Sequence, residues 1–262
     1  MLKVLKGFLI KFSVTISICA AIAAVLFFAF KPILAKTNLT PKPSTKDLAS
    51  SQDYQNEIAI KEDDVIIGNQ NAPVTVISYD SFSCSHCAYF YKTTVKEIDE
   101  KYIRSGIVRF VHRDFPTDKI GIDISRLMEC YKKDFVNKDS IKVFALTNAI
   151  YGTQQKWLGA DYVNLVSSQF KMAGMSDDAI KACLADSGQK DGYVKKYVDN
   201  LRRISNILGI VGTPTVFVNG VKNEGKGSPE VVSSMIDDAY EKHNIDENNT
   251  EPETQTATLD VE

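Results

Sequence analysis

The chain has almost no net charge: 31 lysines and arginines stand against 33 aspartates and glutamates over 262 residues, leaving −2. That balance gives no electrostatic case for a nucleic-acid partner. Histidine is scarce too, with His86, His112 and His243 the whole supply. Cysteine amounts to five residues, and only Cys84 and Cys87 stand close together, with Ser85 and His86 between them. A structural zinc site wants four cysteine or histidine ligands. With no second close pair and so few histidines, metal binding has little to rest on, and no metal site is assigned. Strand patterns are missing from 118–188. Charge is missing altogether from 12–30, "FSVTISICAAIAAVLFFAF".

The flanks of that uncharged run say what it does. Lys3, Lys6 and Lys11 precede it; Lys31 and Pro32 close it. Positive residues ahead of an apolar run mark an export signal, with the lysines left on the cytoplasmic side. The run also approaches the ~20 apolar residues of a spanning helix. Residues 1–35 therefore read either as a cleaved signal peptide, with "ILA" at 33–35 before the cut, or as a retained N-terminal membrane anchor. Contact with a membrane is expected only through this segment, and only if it is uncleaved. Residues 36–56 are polar, carry Pro41 and Pro43, and read as a flexible tether. Residues 244–262 are polar and acidic and read as a disordered tail.

An exported chain meets an oxidising compartment, where an even set of cysteines suggests pairing. Cys19 lies within the leader, which leaves four. The loop between Cys84 and Cys87 is too short for a disulfide there to add much stability. Such a pair is more often redox-active or metal-binding. Cys130 and Cys183 enclose a long loop. A structural disulfide between them could contribute roughly 4 kcal/mol; two buried free thiols are the alternative.

The apolar pattern places the close pair. "PVTVISY" at 73–79 is short, apolar and β-branched, and predicts a buried strand. After it Cys84, Cys87, Ala88, Tyr91, Val95, Ile98 and Tyr102 recur at helical spacing. Gly106 ends that helix, and "IVRFVH" at 107–112 predicts a second strand, parallel to the first. Residues 118–188 then read as an inserted helical subdomain, with Ser176 capping one of its helices. A long helix follows, with Val194, Tyr197, Val198, Leu201, Ile204 and Leu208 on its inner face. The span from Thr215 to Val218 predicts a strand, Asn219-Gly220 a two-residue turn, and Val221 the return strand. Ser228-Pro229 opens a last helix, with Val232, Met235, Ile236 and Ala239 buried. The sum is an α/β fold built from 57–117 and 189–243, with a sheet of four or more strands, interrupted by the helical insertion.

Cys84 thus falls where a strand gives way to a helix. Unpaired N–H groups and the positive end of the dipole favour a thiolate there. A protonated His86 would add to that. A thiol so placed can ionise at roughly pH 3.5–7.5. Its stable thiolate makes the corresponding disulfide a ready oxidant. Cys87, one turn in, is expected to be more buried and to close the internal bond. Pro214, in "VGTPT", stands at the mouth of a strand, where proline needs a reason. Spacing alone does not decide whether its peptide bond is cis or trans.

Three stretches together, "APVTVISYDSFSCSHCAYF", "GIVRFVHRDFP" and "GIVGTPTVFVNG", resemble the DsbA-type thiol:disulfide oxidoreductases. The resemblance covers about 58–242. It implies a thioredoxin-like fold with an inserted all-helical subdomain, and a protein-disulfide oxidoreductase acting in the bacterial periplasm, anchored to the inner membrane if the leader is kept. Cys84 then matches the attacking cysteine, Cys87 its partner and His86 the thiolate-stabilising histidine. Pro214 matches the family's cis-proline, and Thr213 the residue whose backbone docks the client. The partners implied are reduced client proteins and a quinone-linked membrane reoxidase of the DsbB kind; no cofactor is implied. Three positions depart from the pattern. DsbA has Pro-His between its cysteines, not Ser85-His86. Its valine before the cis-proline is Thr213, a residue more typical of the isomerase branch. Its proton-transfer glutamate is Ser78, with Asp80 nearby. An oxidase, an isomerase or reductase using the same site, and a client-binding chaperone-like module all stay in view.

Overall fold

The computed structural model describes residues 50–159, 161–185, 193–224 and 227–250. The leader, most of the tether and residues 251–262 lie outside the described residues. No helix among the described residues is long and apolar enough to cross a membrane.

The frame is a five-stranded sheet. In chain order its strands are β1 (Ile66–Gly68), β2 (Val74–Asp80), β3 (Val108–Asp114), β4 (Thr215–Val218) and β5 (Val221–Lys222). Across the sheet they lie in the order β1-β3-β2-β4-β5. β2 and β3 are parallel, as their helical crossover requires; the other three pairings are antiparallel. The β4–β5 hairpin turns on Asn219 and Gly220, at φ +44° and +80°. Positive φ at both central residues gives the turn whose twist suits a hairpin. β1 is too short to show an alternating pattern, and sequence reading passed over it.

Nine helices among the described residues surround this sheet. They are α1 (Gln52–Ile58), α2 (Ser85–Phe90), α3 (Lys119–Cys130), α4 (Ser140–Gly152), α5 (Gln154–Trp157), α6 (Tyr162–Met172), α7 (Asp177–Ala185), α8 (Tyr193–Leu208) and α9 (Pro229–Thr250). α2 continues without a break through a π-helical turn at Tyr91–Val95, one α-turn at Lys96–Ile98 and a second π-turn at Asp99–Ile103. Helices α3 to α7 form the insertion. Ser176 Oγ accepts from Ala179 N–H at 3.2 Å, capping α7.

The strand alternation divides the core in two. Val74, Val76 and Phe110 face α2 and its continuation, α9 and the insertion. Ile77, Tyr79 and Val111 face the other way, against Tyr54 of α1 and Ile204 and Leu208 of α8. Each fully buried side chain of this size is worth about 1.5–3 kcal/mol relative to exposure. On the α1 side the buried Arg113 guanidinium meets Asp64 through Nε (3.0 Å) and Nη2 (2.6 Å) and the Tyr79 hydroxyl at 2.8 Å. It also donates to the carbonyls of Glu57 and Ala59, which pins the chain entering β1.

Two boundaries move. The tether was expected to run to 56, yet α1 begins at Gln52. Ser51 caps it, and Tyr54 anchors it, buried and donating to Gly220 O at 3.0 Å. The disordered tail was expected from Asn244, yet α9 continues to Thr250. His243 and Glu247 stand 3.3 Å apart, one turn from each other, a pairing that supports an exposed helix. Neither extension carries an apolar stripe, so periodicity could not show them.

Candidate active site

β2 ends at Asp80, the chain turns through Ser81, Phe82 and Ser83, and α2 starts at Ser85. Cys84 is the N-cap, with extended backbone (φ −79°, ψ 120°). Its carbonyl takes the first helical hydrogen bonds, from Cys87 N–H (3.1 Å) and Ala88 N–H (3.2 Å). Its sulfur is half-buried. No N–H closes a full capping bond on that sulfur; the amides of Cys87 and His86 act on it as nearby dipoles.

The Cys84 thiol is brought down to about 5. The largest cause is the Cys87 thiol, whose hydrogen bond favours the Cys84 anion. Burial opposes, and the Thr213 side chain and the two amides assist. Cys87 is the mirror case. It is fully buried, and burial pushes its thiol far up. Donation to Cys84 and the charge of Asp80 push it further. One sulfur is therefore an anion at neutral pH and the other a firmly held thiol.

The opposite wall is the loop before β4. The Thr213–Pro214 peptide is cis, the isomer the resemblance implies. When protonated, Cys84 Sγ donates to the Thr213 carbonyl at 3.3 Å, and Thr215 Oγ1 steadies the loop by donating to Gly212 O at 2.7 Å. His86, Tyr89, Val211, Thr213, Pro214 and Asn223 line a groove of about 500 Å³ here. Val211 is fully exposed and Tyr89 largely so. The structure thus brings Cys84, Cys87, Thr213 and Pro214 together. His86 belongs to the same site, but its backbone amide faces the sulfur while its ring lines the groove.

Sequence reading missed a buried charge network behind Cys87. Asp80 and Ser78 share the face of β2 toward α2, so the carboxylate absent at Ser78 is supplied two residues on. His112, on the matching face of β3, lies between acids: Nδ1 is 3.2 Å from Asp80 Oδ2 and 2.8 Å from the Tyr91 hydroxyl, and Nε2 is 3.0 Å from Asp114 Oδ1. Burial disfavours its charge, but hydrogen bonds to Asp114 and Asp80 outweigh that and hold it up to about 9. Asp114 is held down to about 2: burial raises it, and Lys132 at 3.5 Å and His112 overcome the burial. Asp80 Oδ1 makes no hydrogen bond with the protein. The signal available was alternation: Ser78 and Asp80 fall on one strand face and His112 on its partner in register.

The insertion presses on this site. Gly121 of α3 sits so close that a Cβ would lie 2.8 Å from Ser81 Oγ and 2.9 Å from Pro116 Cβ. Tyr151 of α4 stacks on Tyr91 and Phe82, at 4.2 and 5.0 Å between ring centres. Away from the site, Cys130 and Cys183 form a disulfide between α3 and α7, with Cα atoms 6.5 Å apart. Arg126 Nε donates to the Cys183 carbonyl at 2.7 Å.

Comparison with known proteins supplies the family and the fold. A family model described as thioredoxin matches residues 61–238. A Rickettsia bellii protein named "Putative protein-disulfide oxidoreductase" is 33% identical over 191 residues, 71% of this chain and 69% of its own length. A Rickettsia felis protein of the same name is 30% identical over 70% of this chain and 62% of its own length. The solved structure of alpha-DsbA1 from Wolbachia pipientis shares the fold at a TM-score of 0.63 and 24% identity, covering 74% of this chain and 98% of that one. BdbD from Bacillus subtilis does so at 0.57 and 18%, covering 69% and 94%. The chain belongs to the thioredoxin family. Within it the architecture is DsbA-like, a sheet with a helical insertion, and the activity class is protein-disulfide oxidoreductase.

Proposed function

We propose that the chain is a dithiol oxidase for exported proteins, working through Cys84 and Cys87. A client thiolate attacks Sγ of Cys84 in the oxidised pair. The Cys84–Cys87 bond breaks, and Cys87 departs as a thiolate that takes up a proton. The protonated His112, hydrogen-bonded to Asp80, is the source of that proton, with the Asp80 carboxylate as the relay. A second client thiolate attacks the client sulfur of the mixed disulfide. A client disulfide forms, and Cys84 leaves as an anion. Two client thiolates are oxidised to a disulfide, and the enzyme disulfide is reduced to a thiolate at Cys84 and a thiol at Cys87. A quinone-linked membrane partner of the DsbB kind is the proposed reoxidant, and the bacterial periplasm the proposed compartment. The catalytic roles of Cys84, Cys87 and His86, and docking at Thr213 and Pro214, are part of this proposal.

The observation that carries it is the ease with which Cys84 ionises. A thiol of low pKa is a good leaving group, and a stabilised thiolate favours the reduced enzyme, which makes its disulfide oxidising. With Cys84 of Cys87→Ala first activated as its mixed disulfide with thionitrobenzoate, reduced clients are expected to displace that anion and stay bound through Cys84. No adduct in a denaturing, non-reducing gel would remove the oxidase reading. Thr213 favours an isomerase as the second reading; recovery of activity from a scrambled disulfide substrate, without added oxidant, would select it.

A further inference from the structure

Gln154 opens α5, the short helix that follows α4 in the insertion. It is a buried polar side chain, 2% exposed, far from Cys84 in sequence. Its amide nitrogen donates to Phe82 O at 2.7 Å and to Cys84 O at 2.9 Å. Both partners are carbonyl oxygens, so only the –NH₂ end can serve them, and both its hydrogens are used. The corner that presents it is itself fixed. Thr153 Oγ1 donates to Ala149 O at 2.8 Å and accepts from Gln169 Nε2 of α6 at 2.7 Å. Trp157, buried behind the corner, donates to Ile150 O at 3.1 Å.

The Cys84 carbonyl therefore receives three donors: two backbone amides of α2 and one side chain from the insertion. The backbone angles at Cys84 decide whether its sulfur stays over the start of α2, where unpaired N–H groups favour negative charge. A donor fixed to the carbonyl on one side of that residue, and to Phe82 on the other, holds those angles.

We propose that Gln154 is a positioning residue for thiol exchange: it locks the turn that carries Cys84 and so makes the reactive sulfur depend on the order of the helical insertion. This rests on Cys84 being the exchanging thiol. Tyr151 contributes stacking area to the same contact; Gln154 contributes direction, because each of its bonds ends on the backbone of the reactive turn.

The test uses the full-length reduced protein and Gln154→Met, which keeps the length and volume but has no donors. Ionisation of Cys84 is followed by its thiolate absorbance against pH, the equilibrium with glutathione by alkylation and mass spectrometry, and stability by thermal melting. The variant is expected to lower the acid dissociation constant of Cys84 about tenfold, because a sulfur no longer held in place loses contact with the donors that favour its charged form. The glutathione equilibrium is expected to move toward the enzyme disulfide. A lower melting temperature with an unchanged Cys84 titration would overturn the proposal and leave Gln154 structural. Should Gln154→Met fail to fold, Gln154→Asn, one methylene shorter and unable to span both carbonyls, is read by the same rule: a raised Cys84 pKa supports, a wild-type value overturns. A wild-type Cys84 that ionises like a free thiol would instead defeat the oxidase reading itself.

Discussion

The two cysteine pairs of this chain occupy opposite extremes. Cys84 and Cys87 lie one helical turn apart, at the seam between sheet and helix, with one sulfur reachable and one sealed. Cys130 and Cys183 lie 53 positions apart and join two helices inside the insertion. The first pair closes almost no loop, so its bond constrains the unfolded chain little. Its environment makes one thiol acidic. The second closes a long loop, and both its cysteines lie within helices rather than at a helix start. Reactivity follows from the peptide dipoles and hydrogen bonds around a sulfur; stabilisation follows from the length of chain a bond closes.

That contrast breaks if the pairs exchange effects. Replacing both Cys130 and Cys183 with serine is expected to cost roughly 4 kcal/mol of stability in the chain-entropy model. Denaturant unfolding reads that loss, while Cys84 still ionises at about 5. A change in exchange chemistry equal to that of an active-site variant would end the division of labour. The next effect is in pH. The Cys84 thiol is depressed from 9.0 to about 5 in the folded reduced protein. A depressed group adds stability that is complete above its unfolded value and vanishes as pH falls through its folded one. The melting temperature of the reduced protein, minus that of the oxidised protein, is therefore expected to climb between about pH 5 and pH 9, and to fall above that, where the unfolded chain ionises Cys87 and the folded protein keeps it protonated. A flat difference would contradict the acidic thiol. The smallest effect is expected at His86. Its amide stays in place in His86→Ala, so the Cys84 titration should move by less than about one unit; a larger move would give the ring the role the family resemblance assigns it.

How much of this was open to the sequence depends on range. β2, the active-site helix, β3 and the β4–β5 hairpin rest on local periodicity and turn chemistry, and their residues announce them. The sulfur pair at a strand–helix junction was legible for the same reason. α1 was not, because Tyr54 is its one buried apolar residue and its other anchors, at Glu57, are an ion pair and a backbone contact with residues distant in sequence. The π-turns at Tyr91–Val95 and Asp99–Ile103 were not, because one added residue per turn barely disturbs the apolar spacing. His112 gave no local sign of its task. Its meaning comes from two aspartates, one on a neighbouring strand and one two residues on. Gln154 is hidden further: its partners lie about seventy residues away.

The pairing of β2 with β4 has its own consequence. Ile77 lies opposite Phe217, so the central strand waits for a neighbour made 140 residues later. A chain emerging from the ribosome completes the CxxC turn and the whole insertion before Thr213 exists. The reactive sulfur thus comes off the ribosome without the carbonyl it bonds to and without one wall of its groove. Until the segment around Thr213 has been made, the two halves of the active centre cannot meet.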